Sequence, residues 1–427
     1  MHFFSIALNW MLLSASIDAY VFFPSRIGSC IVSRDSFSGR VTQIMTGFIK
    51  ILLAGTMLAT SVAAAQAGGF SRGNADTDIL YEPGNFTMRS GVTIVSPQRS
   101  FTRHNDAALV GHRYTESYVV PSLAMKLQPF EALGCAGTYA QPYGADVNYE
   151  GRSTPGKLTE QFDVEEFALT CALRFDAGPG QLYLLGGVFH EKFDYSRTQL
   201  VPGAIASPLL PPGTLLPASL TLDGTDQGYR VGIGYDVPEI ALRGQLMYRS
   251  ATSYGADGTF TLQTPGGPLA VPALGFGNLP QSVELKLQSG IAPGWLAFGS
   301  VKWTDWSVQE ALIVQIPALG AAGTSNDIYN WRDGWTVTAG IGHAFNEQVS
   351  GLASITYDRG VATGYDLIGD SWTLSLGTSL RDTFGGELRA GLGVSYLAAV
   401  DAPLHPENQA VGSDWATGVS LGYRINW

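Results

Sequence analysis

The final fifteen residues, Ser413 to Trp427, alternate between apolar and polar positions almost without a break. Val419, Leu421, Tyr423, Ile425 and Trp427 share one parity, and Ser420, Gly422, Arg424 and Asn426 the other. A period of two marks a strand with one apolar and one polar face. The segment outlasts the ~5–6 residues of a common soluble strand and is long enough to cross a tilted bilayer. The same pattern predicts fourteen strands, at 91–104, 114–128, 132–143, 161–176, 181–197, 226–237, 239–253, 280–291, 294–306, 331–345, 348–360, 370–381, 385–399 and 413–427. Six connections are tight turns, such as Asp176 to Gly180 and Ile291 to Gly294, and the seven between them are longer. That asymmetry belongs to outer-membrane barrels, with short periplasmic turns and long outer loops. The expected fold is an all-β, 14-stranded antiparallel transmembrane β-barrel. It would sit in a bacterial outer membrane with Trp427 in the interfacial girdle.

Composition agrees. Only 14% of the 427 residues are charged, 52 are Gly, and no stretch after residue 70 approaches the ~18 apolar residues of a membrane helix. The one strong apolar run, Ile51 to Ala65, follows Lys50 and ends at Ala65-Gln66-Ala67, which reads as a secretory leader cut after Ala67. Residues 1–67 are therefore set apart from the fold, with Met1 and Met45 both open as starts. The formal net charge is −11, and losing this segment makes it more negative, so nothing invites nucleic acid. Cys135 and Cys171 lie on the apolar parity of their strands. They read first as small lipid-facing residues, with a cross-strand disulfide as the alternative because both pass through the oxidising periplasm. No metal-ligand spacing is present, and no cofactor is implied.

The segment over residues 68–87 is polar and lacks alternation. It is sized for a short plug in the lumen, with a disordered leader as the other reading; the barrel proper is expected over 88–427. The long connections are unusual in being apolar and rich in proline. Leu209, Leu210, Leu215, Leu216, Phe276 and Ile313 stand out among them. Apolar outer loops suit a collecting surface for a hydrophobic molecule, a cap packed on itself, or contact with lipopolysaccharide or a partner. Lumen parity turns Arg174, Arg230, Arg243, Arg249, Lys286, Lys302 and Arg389 inward, where each is expected in a structural charge network. Arg174, Arg249 and Lys302 are the candidates for holding a ligand carboxylate, being placed toward the outer half.

Four stretches then resemble the FadL-type outer-membrane transporters of long-chain fatty acids and aromatic hydrocarbons. They are Trp303-Thr304-Asp305-Trp306-Ser307, Asn330-Trp331-Arg332-Asp333-Gly334-Trp335, Gln141-Pro142-Tyr143-Gly144-Ala145-Asp146 and Gly69-Phe70-Ser71-Arg72-Gly73. The resemblance covers residues 68–427. It implies a passive importer that collects ligand in apolar outer loops, holds it in a luminal pocket, and releases it sideways at a kink in the third strand. Pro142 and Gly144 fall where that kink belongs. Phe70, Arg72, Asp76 and Pro83 fall in the N-terminal hatch, which is shorter here and carries Glu82-Pro83-Gly84 in place of an Asn-Pro-Ala motif. The implied partners are a long-chain fatty acid or other hydrophobic molecule, outer-membrane lipid or lipopolysaccharide, and the barrel-assembly machinery, around a monomer. The alternative is a general or substrate-selective porin for small polar solutes. A barrel enzyme is not expected, because no His is spaced with Ser and Asp as a triad.

Overall fold

The computed structural model describes residues 68–205 and 210–427. The leader expected over residues 1–67, and Leu209, lie outside the described residues. Fourteen strands form the barrel: β1 (Phe86–Pro97), β2 (Tyr118–Phe130), β3 (Leu133–Asn148), β4 (Gly156–Ala177), β5 (Gly180–Pro202), β6 (Leu215–Val237) and β7 (Leu242–Arg249). The others are β8 (Ser282–Ala292), β9 (Trp295–Thr304), β10 (Gly334–Ala344), β11 (Val349–Arg359), β12 (Ser371–Arg381), β13 (Gly386–Leu397) and β14 (Asp414–Asn426). Each pairs antiparallel with its neighbours in sequence. β14 closes on β1 from Thr87↔Asn426 to Pro97↔Ala416, which makes the sheet a cylinder.

Alternation decides which side chains meet lipid. Along β12, Leu374 and Leu376 point outward and are more than half exposed, while Thr373, Ser375 and Ser379 are buried. The inward hydroxyls bond across strands, Thr373 with Ser395 at 2.8 Å and Ser350 with Ser379 at 2.7 Å. In a barrel the lumen must satisfy its own polar groups, and these two bonds do so for the four hydroxyls they join.

The outer connections depart from the sequence reading. Much of the apolar stretch assigned to loops is strand. β5 and β6 run on to Pro202 and back from Leu215, and a hairpin of Thr252–Thr264 with Gly267–Leu279 adds to the upper edge of β6. A second hairpin, Ala311–Gln315 with Thr324–Ile328, pairs on residues 274–276. Leu220, Leu222, Phe260 and Leu262 from these extensions are buried in one apolar cluster. Their alternation continues above the bilayer, where prolines at the strand ends mask it. β1 also starts earlier than predicted, because its first turns face the plug: Arg89 points inward to Asp76 and Glu82.

Cys135 and Cys171 stand directly opposite one another in β3 and β4 and form a disulfide. The first reading, two unlinked lipid-facing residues, is therefore corrected. Register alone brings the two side chains to one spot on the outer face.

Candidate functional site

Beneath the outer loops lies a cavity of about 250 Å³. Its walls are aromatic: Phe162 from β4, Phe193 and Tyr195 from β5, Tyr254 from the first outer hairpin, Tyr329 after the second, and Phe70 from the N-terminal segment. The rings interlock. Phe193 stacks on Tyr254 at 4.0 Å between centroids, and Phe162 meets Phe193 at 5.1 Å and Phe70 at 5.1 Å. Trp306, fully buried, and Trp331 close in behind, with Phe70 edge-on to Trp331 at 4.7 Å. Gly69 makes this approach possible. Its φ is +60°, and a Cβ there would lie 2.5 Å from the Trp306 ring.

One flank of the cavity is charged. Lys157 Nζ donates to Glu160 at 2.8 Å and lies 3.0 Å from Asp327 Oδ2, and the Tyr195 hydroxyl donates to Glu160. Nearby, Trp331 Nε1 donates to Asp366, whose carboxyl burial pushes up to about 7. Burial also pushes the His405 imidazole down.

The wall beside the cavity is broken. β3 pairs with β2 from Tyr139 downward only, and its register against β4 slips between Ala140 and Tyr143, at Gln141-Pro142. Proline has no amide to give the ladder, and the strand bends there. Residues 70–73 fill the gap like a short added strand. Arg72 N–H donates to Pro142 O, Gly73 N–H to Gln141 O, and Gly144 N–H to Phe70 O, each at 2.9 Å. The Arg72 guanidinium spans the break, pairing with Asp146 and with Asp163 at 2.9 Å and lying 4.1 Å over the Tyr118 ring. Gly144 leaves room for it: a Cβ there would sit 2.5 Å from Arg72 Nη1.

Below this point the N-terminal segment crosses the lumen. A 3-10 turn, Thr77–Tyr81, buries Ile79, Leu80 and Tyr81. Asp76 pairs with Arg89 on β1, Asp78 with Lys286 on β8 at 3.0 Å, and Glu82 with Arg424 on β14 at 2.8 Å. Pro83, by contrast, is exposed where the segment joins β1.

The sequence candidates fare unevenly. Phe70, Arg72, Pro142 and Gly144 come together at the wall break. Among the predicted loop residues, Leu216 is buried in the apolar cluster, Leu210 packs against it, and Phe276 is 40% exposed. None of Leu210, Leu215, Leu216, Phe276 or Ile313 lines the cavity. Of the three luminal cations, Arg249 and Lys302 line one small cavity of about 50 Å³, and Arg174 stands apart from it. Arg174 lies three residues from the turn after Ala177, at the periplasmic end rather than the outer half. Arg249 is held by Glu166 and Glu191, and Lys302 donates to Asn74 Oδ1 at 2.8 Å. Lys157, Glu160, Tyr195 and Asp327 escaped the sequence reading. The density of Phe and Tyr on the inward parity of the upper β4 and β5 was the available sign.

The profile of the outer membrane protein transport protein family (OMPP1/FadL/TodX) matches residues 84–421. The chain belongs to this family. A long-chain fatty acid transport protein of Shigella flexneri is 22% identical over 413 residues, covering 84% of this chain and 89% of that one. Its counterpart in Escherichia coli O6:H1 is 22% identical over 379 residues, covering 78% and 81%. Among solved structures, a Pseudomonas aeruginosa FadL homologue superposes with a TM-score of 0.66 at 14% identity, covering 87% of this chain and 98% of that one. The Pseudomonas putida toluene transporter TodX gives 0.60 at 13% identity, covering 86% and 98%. Members of the FadL/TodX family are outer-membrane transport channels for hydrophobic compounds, and this chain is a 14-stranded barrel of that membrane.

Proposed function

We propose that this FadL/TodX barrel imports a hydrophobic molecule through the aromatic cavity and releases it sideways between β2 and β3. One observation carries the reading. Asp146, Val147 and Glu160 line the cavity on the inside and also line a second opening, of about 450 Å³, at the wall break. Residues 70–73 lie against this break, bonded to Gln141, Pro142 and Gly144 of β3. Ligand entering from the outer loops displaces Phe70 from its ring contacts, which loosens Arg72 and uncovers the gap. An apolar solute then leaves into the bilayer, driven by its own partitioning. The chain that the relatives' names suggest as cargo, a long-chain fatty acid, and the monoaromatic cargo of TodX are both candidates for this route.

The test is binding of an uncharged fluorescent hydrophobic probe to the purified protein, with oleate and toluene as competitors. Saturable binding weakened at least tenfold by Phe193→Asp is the expected result. Absence of saturable binding, with a steady open conductance in planar bilayers, would instead identify a porin.

A further inference from the structure

The charges around the cavity bear on which cargo it takes, and this inference rests on the import reading just given. Four carboxylates line the cavity, those of Asp146, Glu160, Asp327 and Asp366, against a single ammonium, Lys157. That ammonium is already held by two of them. The guanidinium groups reaching the wall from behind are committed as well, Arg72 to Asp146 and Asp163 and Arg197 to Asp327 at 3.5 Å. An entering carboxylate would shed its water, meet like charges, and have to break one of these pairs to gain a cation. Desolvating a charge without a partner is strongly unfavourable. The His405 imidazole adds no positive charge at neutral pH, because burial holds it below its ordinary range.

The cavity is not purely apolar either. The hydroxyls of Tyr149 and Tyr329 line it without a hydrogen-bond partner among the described residues. A bare hydrocarbon would leave them unpaired, whereas a small polar group on the ligand can satisfy them. Size points the same way. An apolar cavity of about 150 Å³ holds a benzene ring, so about 250 Å³ holds a ring with substituents. Phe162, Phe193 and Tyr254 offer ring faces and edges suited to an aromatic guest.

We propose that the cavity selects a neutral single-ring aromatic molecule carrying one small hydrogen-bonding group, such as a phenol or benzylic alcohol, and rejects carboxylates. The discriminating experiment measures equilibrium binding of p-cresol, toluene and p-toluate to the full-length protein in detergent at pH 7.5. Tryptophan fluorescence is the readout, since Trp306 and Trp331 flank Phe70. The expected order is p-cresol tighter than toluene, and p-toluate at least tenfold weaker than p-cresol. The double variant Glu160→Gln, Asp327→Asn should narrow the cresol-to-toluate ratio at least threefold. That ratio is taken within one sample, so a loss of folded protein in the variant cancels. Binding of p-toluate as tight as that of p-cresol overturns the charge argument, and binding of toluene as tight as that of p-cresol overturns the hydrogen-bonding one; either leaves hydrophobic import standing. Failure of all three ligands and of oleate to bind overturns both this inference and the import reading.

Discussion

Arg72 occupies the point where the barrel wall, the plug and the cavity meet. Its side chain is almost wholly buried, and both its carboxylate partners are partly so. Removing a buried partner leaves uncompensated charge, softened here by the solvent that reaches Asp146 and Asp163. Arg72→Gln should therefore cost the N-terminal closure on the order of 2 kcal/mol. Read by hydrogen exchange, the amides of Arg72, Gly73 and Gly144 should open roughly 30-fold more often while the strands stay protected. Gly144→Ala should act on the same closure from the other side, since the added methyl lands on the guanidinium and unseats it. A second residue-scale effect concerns pH. Asp366 has a folded pKa raised to about 7, against an ordinary value of about 3.9. A carboxyl raised in this way holds its proton longer folded than unfolded, so stability is full below about 4 and declines as pH climbs to about 7. Thermal unfolding between pH 5 and pH 8 should show a falling transition temperature. Asp366→Asn should flatten that slope, and an unchanged slope would rule the group out.

At the scale of the element, β3 is two strands in one. Its lower half is an ordinary barrel stave bonded to both neighbours, and its upper half leaves β2, keeping β4 on one side and taking residues 70–73 and 114–116 on the other. The Cys135–Cys171 bridge ties the lower half to β4, so the break above opens toward β2. A disulfide closing a loop of this size stabilises by about 2–4 kcal/mol. Replacing both cysteines by serine should lower the heat-modifiability temperature in detergent gels by several degrees and leave the fold intact, because register pairs flank the bridge on either side. The strands themselves were legible in the sequence, since lipid outside and polar lumen inside enforce alternation at every stave. Pro142, which has no amide to give a ladder, and Gly144, which loosens a strand, were legible too. The outer hairpins were not. There the apolar residues bury against one another rather than against lipid, and proline at the strand ends reads as loop.

For the whole molecule, the charges explain what composition could not. Lys157 and Asp327 are far apart in sequence, and Arg249 finds Glu166 and Glu191 on two other strands. Such pairings depend on closure of the cylinder, which no local pattern records. The lumen is filled by the same logic, with Asp76, Asp78 and Glu82 each reaching a cation on a different stave. Deleting residues 68–82 should leave the barrel folded, because its ladder is untouched, and should raise single-channel conductance in planar bilayers to a steady open level. A closed trace from the truncated protein would mean that the outer loops, not the plug, seal the channel.

The seam between β1 and β14 has a consequence for how such a molecule comes into being. Its paired residues lie at opposite ends of the chain, so the ladder that completes the cylinder joins the most distant partners of all. Until it forms, two strands carry rows of unpaired amides and carbonyls. In water these are hydrated; in hydrocarbon each costs several kcal/mol. A half-closed sheet therefore has no resting place within the bilayer. Insertion and closure have to proceed together, with both edges kept wet or lent a borrowed strand until Thr87 finds Asn426.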